Sequence, residues 1–119
     1  MAFPLDLIQL IEKHPVAIGT TMPAGKPNIT PVAYVKVVGD SQILITDNFM
    51  NQLIKDIQNN PSVTLAVWNP EMSGYKLIGQ AEYFTSGPWF EKVKSIPENK
   101  NMPCKGAVLV TVTKFFPTK

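Results

Sequence analysis

The stretch ILITDNFMNQLIKDIQNNPSVTLAV, residues 43–67, changes its period twice. It opens as a strand, because Ile43, Leu44 and Ile45 are β-prone and follow the Gly39–Asp40 turn. From position 49 to 59 the apolar residues Phe49, Leu53, Ile54 and Ile57 recur at three- and four-residue spacing, the pattern of a short amphipathic helix. That helix buries one face and leaves Asn51, Gln52, Lys55, Asp56 and Gln58 outside. Thr46, Asp47 and Asn48 are its available caps, and Pro61 ends it. SVTLAVW then returns to a strand. A helix that follows directly on a strand offers unpaired N–H groups and a positive dipole end, suited either to an anion such as phosphate or to an ordinary capped connection.

Outward from this segment, FPLDLIQLIEKHP predicts a first helix with Leu7, Ile8 and Ile11 inside and Pro15 at its end. VAIGTTM and NITPVAYVKVV flank the turn PAGK, so residues 16–38 read as a hairpin. SQILIT is the third strand, SVTLAVW the fourth and YKLIGQAEYF the fifth, where Gly79 marks a bulge or a close backbone approach. SGPWFEKVKSI gives another helix with Trp89, Phe90 and Val93 on its apolar side, and GAVLVTVTKFF is the last strand. Helices after the third and fifth of six strands predict a mainly β protein, a small antiparallel barrel whose closure removes its edges. In GAVLVTV both alternating sets of residues are largely apolar, so one face fills the barrel and the other meets a helix or a second subunit.

The composition bounds the function. With 119 residues, 45% of them hydrophobic, the chain is read as one domain, 1–119. Its net charge of +2 comes from scattered lysines without any arginine, which argues against nucleic acid as the main partner. Cys104 has no partner for an internal disulfide, and the N-terminus has acidic residues and no long apolar run before a cleavage site; a soluble, cytoplasmic protein is expected. No segment approaches the roughly 20 apolar residues of a membrane span. His14 ends the first helix, where it complements the carbonyl ends, and neither it nor Cys104 belongs to a metal-ligand pattern. Trp68, Trp89, Tyr34 and Tyr75 read as core or dimer-interface aromatics. The acids are spread singly, and there is no Gly-x-Ser-x-Gly or Walker-type loop, so nothing proposes hydrolysis or phosphoryl transfer.

AIGTTMPAGKPNITPVAYVKV, ILITDNFMNQLIKDIQNNPSVTLAV, GYKLIGQAEY and SGPWFEKVK ahead of GAVLVTVT, in that order, resemble the FMN-binding split-barrel family related to pyridoxamine 5'-phosphate oxidase, nearest to its small bacterial FMN-binding members. The resemblance implies a six-stranded split β-barrel of Greek-key type and a homodimer with two FMN molecules at the subunit interface. It implies electron or hydride transfer, as in a flavin reductase or a pyridoxamine-phosphate-oxidase-like enzyme, with a small molecule or protein as redox partner. The flavin then carries the chemistry, and no catalytic side chain is assigned. Residue by residue, it puts Thr30, Pro31 and Val32 beside the flavin ring, with backbone donors at its polar edge. Thr46, Asp47 and Asn48 run past the ribityl chain, and Asn51, Gln52 and Leu53 form the phosphate turn.

That turn carries Lys or Arg followed by a hydroxyl residue in the family, whereas this chain has Gln52 and Leu53. The helix dipole, the Asn51 and Gln52 amides, and a lysine reaching in, Lys76 or Lys55, are left to hold the phosphate. Trp89 is the aromatic matched to a position near the flavin. The alternative is a flavin-free barrel that binds another small ligand or single-stranded nucleic acid through stacking aromatics.

Overall fold

The expected second arm of the hairpin is two strands, β2 (Pro27–Val32) and β3 (Val35–Val37). Between them Tyr34 has a φ of 50°, in the left-handed region that costs a bulky residue conformational energy. The protein therefore has seven strands where the pattern suggested six; the apolar run across NITPVAYVKVV hides the bend. The computed structural model describes residues 2–118. The remaining elements are α1 (Leu5–Lys13), β1 (Val16–Thr21), β4 (Gln42–Asp47), α2 (Gln52–Asn59), β5 (Ser62–Trp68), β6 (Gly74–Phe84), α3 (Pro88–Lys94) and β7 (Gly106–Pro117). Short 3-10 turns lie at Pro23–Gly25 and Pro97–Asn99.

All neighbouring strands are antiparallel, in the order β2-β1-β5-β6-β7-β4-β3. The two edge strands are thus consecutive in the chain, and the barrel is closed at its split by Ala33 and Tyr34 instead of by a ladder. Its interior is filled by alternate residues such as Ile18, Ile43, Ile45, Leu65, Leu77, Val108 and Val110, joined by Leu7 and Ile11 of α1 and Leu53 and Ile57 of α2. On the other side of β4 and β7, Leu44, Ala107 and Leu109 pack against Val93, Trp89 and Phe90 of α3, so a helix covers the second apolar face of the last strand. The register shifts between Ile78 and Gly79, and a Cβ at Gly79 would run into the Thr111 carbonyl; bulge and close approach occur together.

Two local expectations are corrected. The helix starts at Gln52, not at position 49, because β4 continues through Asp47 and pairs with Gly106 of β7. Phe49 consequently lies outside the helix and is 70% exposed, and Asn51, not Thr46, Asp47 or Asn48, is the cap residue. Asp56, expected on the solvent side, is completely buried.

Candidate functional site

Where β2 bends into β3, it runs beside the end of β4 and leaves a groove of about 360 Å³. Thr30, Pro31, Val32, Ala33 and Tyr34 form one wall; Thr46, Asn48, Phe49 and Met50 form the other, with Met102 at the side. The groove therefore gathers five of the expected ligand positions, Thr30, Pro31, Val32, Thr46 and Asn48, from two segments of the chain. Its surface is mostly apolar, and among the described residues no charged side chain lines it. A groove of about 460 Å³ between α1 and the β5–β6 turn is larger. It gathers none of those positions, and within it Tyr75 already donates to Asp6 Oδ2 at 3.0 Å.

β2 offers the ligand less backbone than the resemblance implied. The Met22 N–H donates to the Lys26 carbonyl at 2.7 Å, and antiparallel alternation carries the bonded positions on to Asn28, Thr30 and Val32. The N–H groups of Thr30 and Val32 are thus spent on β1, and Pro31 has none. Pro27 and Pro31 fall at outward positions of this edge strand, where they blunt pairing with another strand.

The other expected residues lie around the groove. Asp47 is buried: its Oδ1 accepts the Met50 N–H at 2.8 Å and its Oδ2 accepts the Tyr83 hydroxyl at 2.6 Å. Burial first, then this hydrogen bond and the Asp47 charge, push the Tyr83 phenol well above its ordinary range. Gly106 makes room for that ring, since a Cβ there would stand 2.5 Å from it. Leu53 is a core residue, and Gln52 Nε2 donates to Asp56 Oδ1 at 2.7 Å. The Asn51 side chain caps nothing, and the N–H groups of Gln52, Leu53 and Ile54 have no acceptor among the described residues. Trp89 packs into the α3 cluster, and Lys76 stands over the Phe116 ring at 5.3 Å; neither lines the groove, nor does Lys55.

Besides the groove's own Ala33, Met50 and Met102, two polar residues near it were missed in the sequence. Lys105 Nζ donates to the Met50 carbonyl at 2.6 Å and lies 3.8 Å from Asp47 Oδ1, bringing a cation to the turn before α2. Asn99, almost fully buried, bonds to Thr46 and Asn48. Lys105 was recoverable from strand pairing, since matching GAVLV to ILITD brings it opposite Asn48. Asn99 had no such signal, because its loop has no periodicity.

Residues 6–118 match the family described as pyridoxamine 5'-phosphate oxidase. The uncharacterized protein MJ0282 of Methanocaldococcus jannaschii is 30% identical over 118 residues, 96% of this chain and 79% of that one. HupZ of Group A Streptococcus has a similar structure, with a TM-score of 0.91 at 23% identity over 98% of this chain and 94% of that one. An FMN-binding protein from Syntrophomonas wolfei has a TM-score of 0.79 at 13% identity over 96% and 87% of the two chains. At these identities the structural likeness carries the split-barrel fold.

Proposed function

We propose, for a chain that belongs to the pyridoxamine 5'-phosphate oxidase family, that the groove between β2 and β4 holds the ring of FMN and that the protein is a cytoplasmic flavoprotein of electron or hydride transfer. The observation that carries this reading is the convergence of Thr30, Pro31 and Val32 with Thr46 and Asn48 in one groove. Its walls suit a flat aromatic ring: Val32 and Met50 are apolar, and Thr46 and Asn48 add polar groups. The three N–H groups at the start of α2, which have no acceptor among the described residues, suit a phosphate, and Lys105, bonded to the Met50 carbonyl, brings a cation to that turn. Bound there, FMN would supply the electron-carrying ring. The chain's own part is to hold it, exclude water from one face and orient its polar edge.

The outward side of β2, β5 and β6 supports a homodimer. Ile29 is 72% exposed and shares a hollow with Thr64 and Ile78, while Trp68 is 40% exposed further along β5. A second copy on this face would cover those side chains and complete the flavin's surroundings, as the family resemblance implies.

The test is the visible spectrum of the purified protein after addition of FMN and gel filtration. Flavin retained in a species of dimer size is the expected result. A protein that elutes colourless after loading overturns the proposal.

A further inference from the structure

We infer that Asn99 is a positioning residue that sets the hydrogen-bond polarity of the groove, a reading that rests on the flavin site proposed above. Asn99 Nδ2 lies 2.9 Å from both the Val93 carbonyl oxygen and Thr46 Oγ1. A carbonyl only accepts, so the amide nitrogen must face it, and its other proton goes to the Thr46 hydroxyl. Asn48 Nδ2 in turn donates to the Pro103 carbonyl at 2.8 Å and to Asn99 Oδ1 at 3.1 Å. Two backbone carbonyls therefore orient both amides.

The consequence falls on the groove. Thr46, itself 2% exposed, accepts from Asn99 and keeps its own proton to give. Asn48 has spent both amide protons and keeps its Oδ1 as an acceptor. Among the described residues nothing takes that proton or donates to that oxygen, and Thr46 and Asn48 are both residues of the groove wall while Asn99 is not. The groove wall thus holds one hydroxyl left to donate, at Thr46, and one amide oxygen left to accept, at Asn48. The complementary ligand has an acceptor next to a donor, as in the carbonyl and imide N–H of a flavin ring or the successive hydroxyls of its ribityl chain.

The test uses the full chain with riboflavin and with lumiflavin, which lacks the ribityl chain, following quenching of flavin fluorescence alongside thermal unfolding by circular dichroism. Thr46→Ser keeps the hydroxyl and should bind riboflavin within about twofold of the unsubstituted protein. Thr46→Val removes the donor and should weaken binding about tenfold, the size of one hydrogen bond. Asn99→Asp has no proton for Thr46, turns the hydroxyl away from the groove, and should weaken binding similarly. If Asn99→Asp does not fold, the Thr46 pair carries the test. Loss with riboflavin alone assigns the donor to the ribityl chain; loss with both ligands assigns it to the ring edge. Unchanged affinity in Thr46→Val and Asn99→Asp, whatever their stability, overturns the inference and leaves the flavin site standing. An unsubstituted protein that quenches neither flavin overturns both.

Discussion

The Gln52 side-chain amide donates to Asp56 Oδ1 at 2.7 Å, one turn along the same helix. Asp56 Oδ2 also accepts the Thr20 hydroxyl at 2.7 Å and Asn28 Nδ2 at 3.3 Å, so neutral donors from β1, β2 and α2 meet on one buried carboxylate. No ion pair joins it among the described residues. This cluster ties the helix behind the groove to the hairpin that forms the groove's other wall.

Asp56→Asn faces an amide nitrogen with groups that donate, and leaves at least one of them without an acceptor. A loss of about 1–3 kcal/mol in urea unfolding is expected, the cost of an unsatisfied buried donor. A change within about 0.5 kcal/mol would mean that the cluster is readily rearranged.

Gln52→Lys restores the residue type that the family resemblance calls for, but its ammonium meets Asp56 and is partly neutralised there. The gain in FMN affinity over riboflavin should therefore be larger in the double variant Gln52→Lys, Asp56→Asn than in Gln52→Lys alone. Titration of all three proteins with both flavins measures it, and an equal gain in the two variants contradicts it.

Lys105→Met removes the cation from the turn before α2. FMN affinity should fall about tenfold, the scale of a charge-assisted contact to phosphate, while riboflavin affinity stays within about twofold. Equal losses for the two flavins would assign Lys105 to Asp47 and the structure of the turn instead.

The raised phenol of Tyr83 gives stability a definite alkaline slope. Below about pH 10 folded and unfolded chains both hold the proton; above it the unfolded chain releases its proton first, so stability falls as pH rises. Thermal unfolding between pH 9 and 11 should show a shallower decline for Tyr83→Phe. Tyr75, raised by burial and by Asp6, shares the sign and leaves a residual slope. An identical decline in the variant would remove Tyr83 as its source.

Local pattern carried the elements whose two faces differ. α1 buries Leu7 and Ile11 at the spacing its sequence displays, and β7 alternates Val108, Val110 and Val112 into the barrel with Leu109 toward α3. Gly79 announced a strand irregularity because glycine in a strand weakens it unless something approaches closely. Phe49 misled because apolar spacing reports the chance to be buried, whereas β4's pairing with β7 through Asp47 used the backbone first. Thr30, Pro31, Val32, Thr46 and Asn48, which line one groove, were grouped as expected ligand positions by a family resemblance, and their pattern alone would not have joined them.

The order of strands and helices, the apolar faces and the absence of any arginine are properties of residues and their spacing, so they are legible along the chain. Folding alone sets the split of one strand at Tyr34 into the two edges of the barrel, the three neutral donors on Asp56, and the arrival of Asn99 and Lys105 at the end of β4. A hydrogen bond between residues some fifty positions apart, such as that of Asn99 with Thr46, leaves no period in the chain; it exists only where the barrel's closure brings its partners within reach.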